Sequence, residues 1–79
     1  MRGKVMDIST VSHLLMKGGK PCDKYTATIK VRVGTYLSVL TFYYIVTAKT
    51  KAAVEKELDK YEQGQTYNFD SSKLVRARI

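Results

Sequence analysis

Tryptophan is absent from this 79-residue chain, and cysteine, histidine and proline occur once each. A lone Cys22 excludes an internal disulfide and offers none of the repeated Cys/His spacing that holds zinc. It suits a reducing compartment, as an ordinary loop or core thiol. His13 has no evident Ser, Cys or Asp partners for nucleophilic catalysis. Acids number seven, and four of them (Glu55, Glu57, Asp59, Glu62) crowd one short stretch, which does not suggest a paired-carboxylate site. Gly18-Gly19-Lys20 lacks the spacing and the Ser/Thr of a phosphate loop. The expectation is a protein that is no enzyme and uses neither cofactor nor metal.

Long apolar runs are missing too. The most apolar stretch, Tyr36 to Ala48, contains Ser38, Thr41 and Thr47 and falls short of the about 20 residues a spanning helix needs. The first twenty residues are broken by Asp7, Ser9, Thr10 and His13, so no signal peptide is read there. A soluble, cytoplasmic protein without membrane contact is expected. Met6 offers an alternative start, which would make Met1 to Val5 a dispensable leader.

What is present is a 44% hydrophobic chain with a net charge of +7. That supports a single domain over residues 1–79, with a thin core, since a domain of this size hides only about 60% of its unfolded surface. Residues 1–51 hold nine basic side chains and two acids, whereas residues 52–79 hold five of each. The positive field therefore sits on the first half, with Lys73, Arg76 and Arg78 at the C-terminal end, and it steers acidic partners.

Along the chain, residues 1–20 read as an arm with a short helix over Val11 to Lys17, capped by Ser9 or Thr10 and stopped by Gly18. Residues 24–48 read as a β-hairpin. Tyr25, Ala27, Ile29, Val31 and Val33 alternate with Thr26, Thr28, Lys30 and Arg32, Gly34-Thr35 makes a two-residue turn, and Tyr36 to Ala48 returns. Thr50 caps a helix within 50–63, with Val54, Leu58 and Tyr61 as its apolar stripe. Residues 66–79 supply one or two further strands. The predicted fold class is α+β: an antiparallel sheet of three to four strands with one main helix on one face (β-β-α-β), plus a short N-terminal helix.

With a two-residue turn, Tyr25, Ala27, Ile29 and Val31 lie beside Tyr44, Phe42, Leu40 and Ser38 and form the helix-facing side. The other face pairs Lys30 with Val39 and Arg32 with Leu37, and Tyr43 and Ile45 stand there too. Four large apolar residues on a second face require an explanation. Three are open: the Leu14-Leu15-Met16 segment folds over them, the chain self-associates as a homodimer, or the face is a recognition surface.

The stretch YYIVTAKTKAAVEKELDKYEQGQ, a strand followed by an Ala-containing helix and then a basic strand, resembles small bacteriophage early (host-takeover) proteins of the T7-type RNA polymerase inhibitor kind. The resemblance covers Tyr43 to about Arg78 and departs at Ala53, where an acid is missing. It implies a small β-rich domain with one helix that blocks a nucleic-acid-handling machine by contact. It transfers no functional residue. The expected partner is an acidic host protein surface or, alternatively, DNA or RNA. The expected contact residues are Lys30, Arg32, Leu37, Val39, Tyr43, Arg76 and Arg78.

Overall fold

Period-two alternation decides the largest element. In the computed structural model, which describes residues 1–15, 18–34 and 36–76 (backbone only at Pro21), the longest strand is β3, Pro21–Gly34. Strand β4, Val39–Ala48, pairs with it antiparallel from Tyr25↔Ala48 to Gly34↔Val39. The expected two-residue turn is a four-residue connection, 35–38. Each residue of β3 therefore meets a partner four residues further along than expected, so that Ile29 faces Tyr44 and Val31 faces Phe42. A shift of even parity leaves each side chain on its expected face.

The N-terminal helix is not formed. Residues Arg2–Ile8 are strand β1 and Ser12–Leu15 are strand β2. Both pair antiparallel with β3, β1 against Ile29 to Arg32 and β2 against Pro21 to Thr26. They lie along the edge of β3 opposite β4. Between them, Ser9 N–H donates to Thr28 C=O (2.9 Å) and Ser9 Oγ accepts from Thr28 N–H (2.8 Å). The short apolar segment thus joins a sheet edge, where its backbone groups find partners that two marginal helical turns would not secure.

A β-bulge at Met6 lies between the Val5↔Val31 and Asp7↔Lys30 pairs. Val5 and Ile8, three residues apart, would otherwise point to opposite faces; the extra residue brings both to the core side. Val5 is fully buried, and Met1 C=O accepts from Phe69 N–H at 2.7 Å. The first five residues therefore form part of the folded sheet. Gly3 is buried against β3, where a Cβ would overlap Val31 Cγ1.

Helix α1, Lys51–Leu58, packs on one face of the sheet. Thr50 caps it, its Oγ1 accepting from Ala53 N–H at 3.1 Å. Val54 is fully buried against Ala27 and Val46. The helix is shorter than expected because the chain turns after Leu58, through Tyr61 N–H to Leu58 C=O (3.0 Å), and lays Tyr61 flat on Phe69 with ring centres 5.3 Å apart. Gly64 then adopts φ +90° and donates to Val5 C=O at 2.8 Å, a conformation that favours glycine.

Strand β5, Thr66–Asn68, joins the far side of β1, and β6, Leu74–Arg76, joins the far side of β4. The sheet thus has six antiparallel strands in the order β5-β1-β3-β4-β6, with β2 beside β3. This replaces the three- to four-stranded β-β-α-β arrangement. One core of Val5, Ile29, Val31, Val33 and Phe69 sits beneath the aromatic cluster, and a second, smaller one lies under α1. No helix among the described residues is long and apolar enough to cross a membrane.

Candidate binding face

Helix and aromatic cluster cover one face of the sheet. The strand register fixes what stands on the other. One row crosses from Asp7 on β1 to Lys30 on β3, Tyr43 on β4 and Val75 on β6. The next runs from Thr66 on β5 to Lys4, Arg32 and Thr41. Arg2, opposite Asn68, and Val39, opposite Gly34, lie on the following row, and Ile45 stands opposite Thr28. Arg2, Lys4, Lys30 and Arg32 are all exposed, as are Val39, Ile45 and Val75. The face is thus divided lengthwise: four cations on β1 and β3, apolar and aromatic side chains on β4 and β6.

Lys4 lies directly opposite Arg32. Paired side chains start about 5 Å apart, and like charges placed so destabilise a sheet. The one acid of the face, Asp7, stands opposite Lys30 and not opposite either member of this pair, and its Oδ1 accepts from the N–H of Ile8 at 3.0 Å. Among the described residues the sole ion pair is elsewhere, Lys60–Glu57 at 2.9 Å on α1 and the turn after it. The four cations thus outnumber the one acid of the face, and no ion pair joins them to it among the described residues.

Lys30, Arg32, Tyr43 and Val39 are brought onto this one face as expected. Leu37 lies in the connection beyond it, 89% exposed, beside a completely exposed Tyr36. Arg76 is opposite Phe42, on the helix side, so it does not extend the stripe of Lys30 and Arg32. Arg78 is outside the described residues. Nor does the Leu14-Leu15 segment fold over the face, since β2 lies in the sheet and Leu15 is itself exposed; Met16 is outside the described residues. Sequence reasoning missed Arg2 and Lys4. Their alternation with Gly3 and Val5 was a usable signal, cut short by the bulge.

The shifted ionisations lie on the covered face. Burial, with Tyr61 and Glu57 close by, pushes the Tyr44 hydroxyl up to about 12, and it donates to Glu57 Oε1 at 3.3 Å. The hydrogen bond from Lys60 holds the Glu57 carboxyl below its usual range. These groups lock the helix to the sheet, with the tyrosine as a protonated donor at neutral pH. Among the described residues no group of three or more His, Cys, Asp or Glu side chains is placed to hold a metal ion. No family model matches the chain, and neither the curated proteins nor the solved structures contain a match.

Proposed function

We propose that this chain is a non-catalytic binding protein that docks the open face of its sheet on an acidic surface of another protein. The observation that carries this reading is the uncompensated Lys4/Arg32 pair, with Arg2 and Lys30 beside it. A local cost of this kind is retained where a ligand supplies the missing charge. The neighbouring apolar half favours a protein partner: Val39, Ile45 and Val75 offer nothing to a phosphate backbone but suit the mixed surface of a protein interface. In the form implied by the resemblance over Tyr43 to Arg78, the partner is a host nucleic-acid-handling or defence protein, and docking inhibits it.

One observation favours a second reading. Tyr43 stands directly beside Lys30, an aromatic face next to a cation, which is the unit from which single-stranded nucleic-acid sites are built. A sheet platform for single strands generally carries several such rings, and this face has one.

The test is capture from a nuclease-treated bacterial lysate by the tagged protein, run beside Lys4→Glu/Arg32→Glu and beside Lys51→Glu/Lys56→Glu on the exposed side of α1. A specific protein retained by the wild type and the helix variant, but lost with the face variant, supports the reading. Equal retention by all three overturns it. Binding only to added DNA or RNA, falling steeply with salt, selects the second reading.

A further inference from the structure

The lengthwise division of the open face restricts the shape of what sits on it. Val39, Tyr43 and Ile45 stand in one column on β4, with the half-buried Thr41 among them and Val75 beside Tyr43. Arg32 and Lys30 form the adjacent column on β3, and Arg2 and Lys4 stand one strand further out on β1.

Both columns keep the step of a strand. Side chains on one face recur about 7 Å apart, since each residue rises about 3.4 Å. An α-helix repeats a stripe every fourth residue, a rise of about 6 Å. These periods stay in step over the about 20 Å from Val39 to Ile45, a distance that about 14 helical residues cover. Across the face, neighbouring strands lie about 4.8 Å apart and a helix is about 10–12 Å wide, so one helix above β3 and β4 touches both columns.

Other shapes fit worse. An extended segment laid on a sheet face leaves its N–H and C=O groups unpaired, because those of the sheet lie in its plane. A second flat sheet would press on every strand and bury Arg2 and Lys4 together with Lys30 and Arg32, at a desolvation cost for each. A helix supplies its own backbone partners and is convex, so it seats on β3 and β4 and leaves the β1 cations in water at its rim.

We infer that the partner presents an amphipathic helix to this face, laid along the strands, with an apolar stripe on Val39, Tyr43, Ile45 and Val75 and carboxylates directly beside it on Lys30 and Arg32. The inference rests on the proposed docking to an acidic protein surface and names the element that docks. It also fixes an order on that helix. The acids flank the apolar stripe, whereas most amphipathic helices turn their charges to the opposite side.

Three synthetic peptides of about 14 residues test it, each bearing one Trp, which reports on the peptide alone because the chain has none. The first carries apolar residues at alternating steps of four and three, with Glu directly after each, about 100° round the helix. The second has the same composition with every Glu one position later, on the far side. The third is the first with two central prolines, which keep the charge and break the helix. The first peptide is expected to bind at least about tenfold tighter than either other, and its complex to gain helix by far-ultraviolet circular dichroism. Ile45→Asn and Lys30→Glu should each weaken it about tenfold with the fold unchanged, while Lys51→Glu on α1 changes it little. Equal binding of the three peptides, or a complex that gains no helix, overturns the inference and leaves acidic docking standing. No binding of any peptide at low salt overturns it too, whereas acidic docking itself falls only if the Lys4→Glu/Arg32→Glu variant captures protein as the wild type does.

Discussion

The odd- and even-numbered residues of β3 lead different lives. Ala27, Ile29, Val31 and Val33 are buried under the helix and the aromatic cluster, while Lys30 and Arg32 stand in water beside further cations and an apolar strip. On the covered face each choice serves the fold: the bulge aligns Val5 with Ile8, Gly3 makes room for Val31, and Tyr44 bonds Glu57. The open face runs against the fold, with like charges paired and large apolar groups exposed. One strand thus separates residues kept for stability from residues kept in spite of it.

That contrast is broken most sharply at Ile29. Ile29→Ala is expected to cost about 2–5 kcal/mol, read as a lower urea midpoint, a large share of the stability of so small a domain. Gly3→Ala comes next, at about 1–3 kcal/mol, because the new methyl displaces Val31 from within the core. On the other face the sign reverses. Lys4→Glu turns a like-charge pair into an opposite one and is expected to stabilise by about 0.2–1 kcal/mol, raising the melting temperature while acidic partners are lost; a lower melting temperature would contradict the division.

A further effect is expected at alkaline pH. The Tyr44 hydroxyl is raised from 10.0 to about 12 in the folded protein. Folding therefore favours its protonated form, so its contribution is complete below pH 10 and is lost as pH rises towards 12. Tyr44→Phe should flatten that limb of the stability profile.

Much of the hairpin and the helix start was legible. Alternation marks β3, Thr50 announces its cap, and the faces of β3 and β4 survive a misjudged connection because the error had even parity. The N-terminal strands were not legible, for two physical reasons. The bulge at Met6 breaks period two just where β1 would show it, and Ser12–Leu15 is too short for periodicity to separate strand from helix without knowing that the edge of β3 awaits it. Arg2 and Lys4 were lost with β1, and so was the like-charge pair that defines the candidate face. Arg76 was read onto that face because which side of β6 carries it depends on a pairing with β4 that lies in no local pattern.

The position of β1 has a kinetic consequence. It is wedged between β3 and β5, so Arg2 is bridged to Asn68 across almost the entire chain. During synthesis this strand emerges well before β5 and stays unsatisfied on that side until β5 is made. Closing so long a loop before any reward is gained slows folding. The unfinished chain meanwhile carries Val5 and its unpaired backbone in the open, and is expected to be the species that holdase chaperones retain.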